Sequence, residues 1–490
     1  MTRAHDMAKP AAEAWRGRRA LMAAGAVLCA AVALPGQTAV AAPASSAPTP
    51  RPYAFTEDAT TVKGATGTTG AEGLVPGRTY KSAVEKNATL YYGLELDDTS
   101  DAYVSVTAVP GPGTTVAFSD GVKVSLRDGN GRSCSGSGIA HIGATQSPHP
   151  ITASAAREIG SAGSALCRAA GTYYLVVERT GSPGGGDSGD WDLELRPSTE
   201  PRLKKAGTTS APEVWNSASP DPLSGEGVAC RGGAGFSNAT ALRQGIWTDG
   251  ISPGQTLFYR VPVDWGQRFY ATADLGSSDS SGSGKGSVGT ALVMSLYNPV
   301  RGLVDDAGLG YYGRQGSAAL EPLPPVDYAN RYALNDHVSG MRFAGSYYLV
   351  VHLAEQVAER FGDGPFGLTL RVRVAGEAKD GPAYAGRTEP GDLFDATVVG
   401  PGPVARGPGG DGLTGGTSDG GGGGSTMKLL AAGGIGTGTF LVLVLGVWTA
   451  IARRRVAPEP RPGGLGAASP TAHTATAVPA RRGHRAARRR

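Results

Sequence analysis

The chain repeats one strand-like sequence at two places, and this repeat limits the folds open to it. Gly171–Val177 reads G-T-Y-Y-L-V-V, and Gly345–Val351 reads G-S-Y-Y-L-V-V at an offset of 174 residues. Upstream, Thr89–Tyr92 reads T-L-Y-Y, and Thr256–Tyr259 reads T-L-F-Y at an offset of 167. Because the order is kept and the offset changes little, the sequence predicts two tandem copies of one domain.

Each copy has the pattern of an all-β domain. Leu90–Leu96 and Leu257–Val263 are rich in β-branched and aromatic residues, and their apolar positions alternate. Many short strands separated by glycine-rich turns indicate a β-sandwich, and we expect a jelly-roll-like one. We place domain 1 at 53–197 and domain 2 at 198–375.

The end of each copy is interpreted as a hairpin. In copy one, a strand at Gly171–Glu178 is followed by a polar turn and a return strand at Trp191–Leu195. In copy two, Gly345–Leu353 returns as Phe366–Val372.

These motifs resemble a known family. The strand G-T-Y-Y-L-V-V, the glycine-rich turn and the closing G-D-W-D-L-E-L of Gly189–Leu195 are similar to the end of a bacterial pre-peptidase C-terminal domain. The run T-L-Y-Y-G-L-E-L before Asp97 fits the same family, and copy two matches more loosely. The resemblance implies β-sandwich accessory modules without catalytic activity, although no peptidase domain is attached here.

Both ends of the chain carry membrane signals. Residues 1–41 read as a secretory signal peptide, with an apolar Ala20–Leu34 and small residues at the expected cleavage site. The uncharged segment Leu429–Ala452 would extend roughly 36 Å as a helix, enough to span a bilayer. We therefore predict one transmembrane helix at 428–452 and a basic cytoplasmic tail at 453–490, which makes this a single-pass type I cell-membrane protein.

Two further segments have the composition of linkers. Residues 42–52 are rich in Ala, Ser and Pro and are predicted to be a disordered leader. Residues 376–426 end in a run of glycines and are predicted to be a flexible stalk.

The distribution of charge argues against nucleic acid as a partner. The chain has a net charge of +4, of which the tail supplies +9 and residues 1–41 supply +3, leaving about −8 for residues 42–452. An acidic exported part does not suit a polyanion, and the arginine tail has no aromatic residues to stack on bases. The helix and tail are instead expected to contact membrane lipid.

The cysteines fit an oxidising compartment. Cys134 and Cys167 lie in copy one, and we predict a disulfide between them that stabilises the fold by about 3–4 kcal/mol. Cys230 is left without an assigned partner. No cysteine pair has zinc spacing, so no metal or cofactor is predicted.

No catalytic residue is predicted. Gly186–Gly189 reads G-D-S-G around Ser188, but the matching part of copy two, Phe361–Gly364, has no serine. We therefore interpret it as a turn, and we expect a non-enzymatic extracellular binding or scaffolding protein. Its partner would be an envelope protein or a wall polysaccharide. The open alternatives are an envelope-acting hydrolase with an unrecognised site and an accessory subunit of a membrane secretion or signalling complex.

Overall fold

The computed structural model describes residues 51–159, 166–181, 189–278 and 286–397. These residues form β-sheets with a few short helical segments, so the all-β prediction is confirmed for this part of the chain. The predicted signal peptide, transmembrane helix and basic tail lie outside it, as does Ser188. Within the described ranges, no helix is long and apolar enough to cross a membrane.

The first half of the described chain forms two sheets, which we call sandwich 1. One sheet has the order β1-β2-β9-β4-β7 and the other the order β3-β8-β5-β6. The strands are β1 Thr60–Thr61, β2 Tyr80–Val84, β3 Thr89–Leu96, β4 Ser100–Val109, β5 Gly121–Arg127, β6 Gly138–His141, β7 Ile151–Arg157, β8 Gly171–Thr180 and β9 Trp191–Pro201.

The second half forms two more sheets, which we call sandwich 2. Their orders are β10-β12-β19-β14-β17 and β11-β13-β18-β15-β16. The strands are β10 Val228–Ala229, β11 Thr240–Ala241, β12 Gly245–Ile251, β13 Thr256–Val263, β14 Arg268–Leu275, β15 Val288–Tyr297, β16 Leu303–Tyr311, β17 Gly316–Ala319, β18 Gly345–Leu353 and β19 Phe366–Ala375. The helices are α1 Asp336–Ser339 and α2 Gln356–Phe361, with 3-10 turns at Gly143–Thr145 and Tyr328–Tyr332.

Both sandwiches have the same strand order. The sheet β2-β9-β4-β7 corresponds to β12-β19-β14-β17, and β3-β8-β5-β6 corresponds to β13-β18-β15-β16. This is the order of an eight-stranded, double-sheet jelly roll. Residues matched in the sequence repeat also match in burial: Tyr80 and Trp247 are 4% and 1% exposed, and Val84 and Ile251 are fully buried.

The predicted terminal hairpins are wrong. β8 pairs with β3 and β5, whereas β9 pairs with β2 and β4, so the two strands lie in different sheets. β18 and β19 are separated in the same way. Alternating apolar positions identify a strand, but they carry no information about its partner, and the chain here crosses from one sheet to the other.

Each sandwich buries its own apolar core between its two sheets. In β9, Trp191, Leu193 and Leu195 alternate toward the core of sandwich 1 and are fully buried. In β18, Tyr347, Leu349 and Val351 do the same in sandwich 2. Burial of each such side chain contributes about 1.5–3 kcal/mol, so a polar substitution at any of them would be strongly destabilising.

The predicted linker boundaries differ from the structure at two places. β9 continues past residue 197 to Pro201. The described start of the predicted stalk, 376–397, folds back onto sandwich 1, where Thr199 pairs with Glu389 and Leu203 pairs with Tyr384. Glycine content predicted a free stalk, but apolar residues such as Leu393, which is 6% exposed, attach this part to the folded unit.

The predicted disulfide is confirmed. Cys134 and Cys167 are bonded, and both side chains lie in the core of sandwich 1. Cys230 is a free thiol whose pKa is raised to about 12, mainly by burial.

Candidate functional site

One sheet face of sandwich 1, which would be exposed to water if that sandwich stood alone, packs against residues of sandwich 2 that lie outside its strands. In β9, the residues that alternate with the core point outward, yet Glu194, Ser198 and Glu200 are at most 2% exposed. On the other side, Phe343 of sandwich 2 lies edge-on to Tyr103 of β4, with ring centroids 5.3 Å apart. We call this contact the junction.

Buried ion pairs cross the junction. Glu194 accepts a hydrogen bond from Arg301 at 2.5 Å, and their side chains are 0% and 4% exposed. Glu200 accepts from Arg331 at 2.7 Å, with 1% and 6% exposed. In both pairs the acid belongs to sandwich 1 and the arginine to sandwich 2, so the two buried faces are complementary in charge.

Two further pairs extend the same pattern. Arg331 also lies 3.4 Å from Asp101, and Arg342 lies 2.8 Å from Glu158. Burial, together with the nearby Glu200 carboxylate, raises the pKa of Asp101 to about 6 even though Arg331 is close. Burial alone would lower the pKa of Arg331, but the attraction of Glu200 outweighs it and the pKa is raised.

The two ends of the described chain cover the junction. In the N-terminal strap, which we define as residues 51–56, the Tyr53 hydroxyl donates to Glu194 at 3.2 Å. In the C-terminal strap, residues 384–395, the Tyr384 hydroxyl donates to Glu200 at 2.9 Å. Both buried carboxylates are therefore bonded to an arginine and to a strap. Losing one partner of such a buried pair typically costs about 3–5 kcal/mol, because the other charge is left uncompensated away from water.

A groove opens at one edge of the junction. It encloses about 300 Å³ and has walls from both sandwiches. Sandwich 1 contributes the segments 139–145 and 149–152, and sandwich 2 contributes side chains of β15, β16 and β18. Ile139 and Leu303, one from each sandwich, are 53% and 48% exposed. We call this the junction groove.

The junction groove is lined by apolar side chains together with several hydroxyl and imidazole groups. Thr290, Ser295 and Tyr297 on β15 line it together with His141 and Asp306. A concave site with apolar edges and a few convergent polar groups is typical of a ligand-binding surface.

Two histidines stack at the base of the groove. His149 of sandwich 1 and His352 of sandwich 2 have ring centroids 4.4 Å apart and nearly parallel planes. Burial lowers the pKa of His149. Burial lowers the pKa of His352 well below its usual range, and the neighbouring His149 lowers it further. Both rings are therefore neutral at pH 7, since two stacked imidazolium ions would repel each other.

A serine contacts this pair. The Ser147 Oγ lies 3.0 Å from the Nε2 of His352 and accepts a hydrogen bond from the backbone N–H of Glu355 at 3.1 Å. The Nδ1 of His352 faces the Thr256 hydroxyl at 3.0 Å instead of a carboxylate. Ser147 is 0% exposed, so its hydroxyl is closed to a substrate. The contact bonds the two sandwiches together and lacks the acid that orients the base in a triad.

His149 and His352 come together from different copies, which the sequence did not predict. Asp305 lies in β16 and accepts a hydrogen bond from the backbone N–H of Glu321. Among the described residues, no group of three or more His, Cys, Asp or Glu side chains is arranged to hold a metal ion. Phe361 ends α2, so the copy-two segment equivalent to the Ser188 turn begins in a helix.

Comparisons with known proteins do not assign the chain to a family. No family model matches it, and no curated protein does. The resemblance to pre-peptidase C-terminal domains therefore remains a prediction.

Three solved structures show weak similarity to this chain. The CUB1-EGF-CUB2 domain of human MASP-1/3 has 10% identity and a TM-score of 0.13, covering 60% of this chain and 99% of that chain. A putative secreted protein from Parabacteroides distasonis has 10% identity and a TM-score of 0.15, covering 62% and 91%. The tandem CBM22-1-CBM22-2 domain of Paenibacillus barcinonensis Xyn10C has 11% identity and a TM-score of 0.14, covering 61% and 91%. These scores are too low to carry an argument about function.

Proposed function

We propose that this chain is a single-pass cell-surface protein whose exported part binds or scaffolds an envelope component without catalysing a reaction. The export signal and the apolar segment near the C-terminus support the location, with the folded part outside and the basic tail inside.

The observation that carries the proposal is that the junction groove takes its walls from both sandwiches. The sandwiches are joined by buried ion pairs and covered by both straps, so the walls are held in a fixed relation. A rigid groove of this kind loses little conformational entropy on binding, which favours affinity. One sandwich alone would not form it.

The ligand we propose is an extended segment of a wall polysaccharide or of an envelope protein. Hydroxyl groups and imidazoles in the groove can exchange hydrogen bonds with either. The exposed apolar side chains of Ile139 and Leu303 are suited to sugar rings or to apolar side chains of a peptide.

Photo-cross-linking in intact cells tests this proposal. A photoreactive amino acid is placed in the full-length protein at Ile139 or at Leu303, and at Val214 as a control, which is 88% exposed and outside the groove. We expect cross-links from both groove positions to one component and none to it from Val214. A polysaccharide and a protein adduct are distinguished by glycosidase and protease digestion. An adduct containing a membrane secretion protein would favour the accessory-subunit alternative. Equal or absent cross-linking at all three positions would refute a ligand in the groove.

The hydrolase alternative has one observation in its favour, the contact between Ser147 and His352. Full burial of Ser147 and the threonine on the far side of the imidazole argue against it. Fluorophosphonate labelling of the full-length protein decides the matter, with Ser147→Ala and Ser188→Ala as variants. We expect no labelling. Labelling that either substitution abolishes would make the protein an enzyme.

A further inference from the structure

A short segment of sandwich 1 is docked onto sandwich 2 at the base of the junction groove. This latch segment, which we define as residues 142–150, connects β6 to β7 and includes the 3-10 turn Gly143–Thr145. Most of it lines the sandwich 1 wall of the groove. The position of that wall therefore depends on how the latch segment is held against sandwich 2.

Uncharged contacts hold the latch segment in place. The Ser147 Oγ accepts from the backbone N–H of Glu355 at 3.1 Å, and the Gln356 Nε2 donates to the carbonyl of Gln146 at 2.8 Å. The latch segment reads I-G-A-T-Q-S-P-H-P, so its only titratable side chain is His149. The buried arginine pairs that join the two sandwiches involve other elements.

The stacked histidines are the part of this contact that can take up protons. His352 is 2% exposed and His149 is half-buried, with ring centroids 4.4 Å apart. The His149 Nδ1 lies 2.7 Å from the carbonyl oxygen of Ser147. The His352 ring lies between the hydroxyls of Ser147 and Thr256. One nitrogen of a neutral imidazole donates and the other accepts, but both nitrogens of an imidazolium donate. A proton therefore removes an acceptor from this network and places a charge in the stack.

The surroundings do not compensate that charge. The titratable side chains on the elements around the pair are His141 of β6, Asp306 of β16, and Glu355 and Glu359 at the start of α2. The strand neighbours of His352 on β13 and β15 are the neutral Thr256 and Val293. Among the described residues, no carboxylate raises the pKa of either histidine. Burial, together with Glu359, raises the pKa of Glu355, which acts in the opposite direction to the histidines.

We infer that the stacked histidines make the latch segment a pH-sensitive device, which closes one wall of the junction groove at neutral pH and releases it in acid. The docked segment holds two neutral rings against each other, and two imidazolium rings in that position would repel. A released segment exposes both rings to water, where a histidine takes up a proton at about pH 6.5. The inference concerns the groove wall and not the ligand proposed for the groove, so either can fail without the other.

The size of the effect follows from proton linkage. A histidine that is neutral when docked favours release increasingly as the pH falls below about 6.5. From pH 7.5 to pH 5.5, the ratio of released to docked segment should rise about tenfold for each ring that takes up a proton, and about a hundredfold for both.

Hydrogen exchange at single-residue resolution tests the inference in the full-length protein in detergent, with no ligand added. Two neighbouring amides report different events. The N–H of Glu355 bonds to Ser147 of the latch segment, whereas the N–H of Ala354 bonds to the carbonyl of Ala291 within sandwich 2 at 2.7 Å. After correction for intrinsic rates, we expect the protection of the Glu355 N–H to fall about tenfold or more from pH 7.5 to pH 5.5. At pH 5.5 it should remain about tenfold or more below that of the Ala354 N–H.

Two results of this measurement would overturn the inference. Unchanged protection of the Glu355 N–H would mean that the latch segment stays docked in acid. Equal protection of the two amides at pH 5.5 would mean that the segment leaves only when sandwich 2 unfolds as a whole.

Histidine variants connect the response to the stacked pair. In His352→Gln, the fall in protection of the Glu355 N–H should be about tenfold smaller, because glutamine takes up no proton in this range. His149→Gln should act in the same way, and its half-buried position makes it the variant to use where substitution of the buried His352 prevents folding. His337→Gln is the control, since His337 lies on α1 and pairs with Asp305 at 3.1 Å. A fall of the same size in all three variants would assign the response to other groups and refute the role of the pair.

Discussion

Replacement of Glu194 by glutamine is the sharpest perturbation of the junction. The substitution keeps the shape of the side chain and an acceptor for the Tyr53 hydroxyl, but it removes the charge that faces Arg301. Both partners are buried, at 0% and 4% exposure, so Arg301 would be left as an uncompensated charge away from water. The expected loss in the free energy of unfolding is about 3–5 kcal/mol.

A matched control comes from a pair that is open to water. Glu178 pairs with Lys123 at 3.0 Å, and their side chains are 27% and 33% exposed. Glu178→Gln should cost no more than about 1 kcal/mol, because solvent screens the pair. Both variants are measured by urea unfolding of the full-length protein in detergent, followed by tryptophan fluorescence.

The double variant Glu194→Gln/Arg301→Met separates charge from packing. It removes the stranded cation, so we expect it to recover most of the stability lost in Glu194→Gln. A loss in Glu194→Gln that is no larger than in Glu178→Gln would refute the reasoning, since it would mean that the pair is hydrated and contributes little to the junction.

Three other outcomes follow from the described contacts. The lowered pKa values of His149 and His352 mean that the unfolded chain binds more protons below about pH 6.5, so stability should fall between pH 7 and pH 5. In His352→Gln this fall in stability should be shallower, and equal slopes of the unfolding free energy against pH in the two proteins would contradict this. The raised pKa of Asp101 acts in the opposite direction, but it is common to both proteins. Cys230, whose pKa is raised to about 12, should react slowly with iodoacetamide at pH 8 in the native protein and rapidly in urea, as followed by mass spectrometry. Cys134→Ser with Cys167→Ser should lower the free energy of unfolding by about 3–4 kcal/mol, and a loss below 1 kcal/mol in urea titrations would show that the bridge is dispensable.

The sequence predicts the strands well because their signal is local. The predicted strand Gly345–Leu353 has the same bounds as β18, and Leu257–Val263 lies one residue inside β13. The pairing of strands was predicted wrongly at the end of each copy, since β8 and β9 are adjacent in the chain but lie in different sheets. Local alternation specifies the faces of a strand and leaves its partner open.

The sequence could not predict the junction, for a different reason. Glu194, Ser198 and Glu200 alternate with core residues in β9, which is the normal pattern of a strand with one face in water. Their burial depends on arginines such as Arg301 and Arg331, more than a hundred residues away in the chain. The acidic net charge of the exported part also gave no indication that arginines would gather at the junction. His149 and His352 are separated in the same way.

The rigid union of the two sandwiches is the central claim, and a distance measurement by pulsed electron paramagnetic resonance tests it most directly. Spin labels are attached at Phe118→Cys in sandwich 1 and Tyr312→Cys in sandwich 2, which are 60% and 69% exposed, in a Cys230→Ser background of the full-length protein. A single narrow distance distribution is expected, and Glu194→Gln should broaden it. A broad or multiple distribution in the protein without that substitution would show that the sandwiches move independently and that the groove between them is not a fixed site.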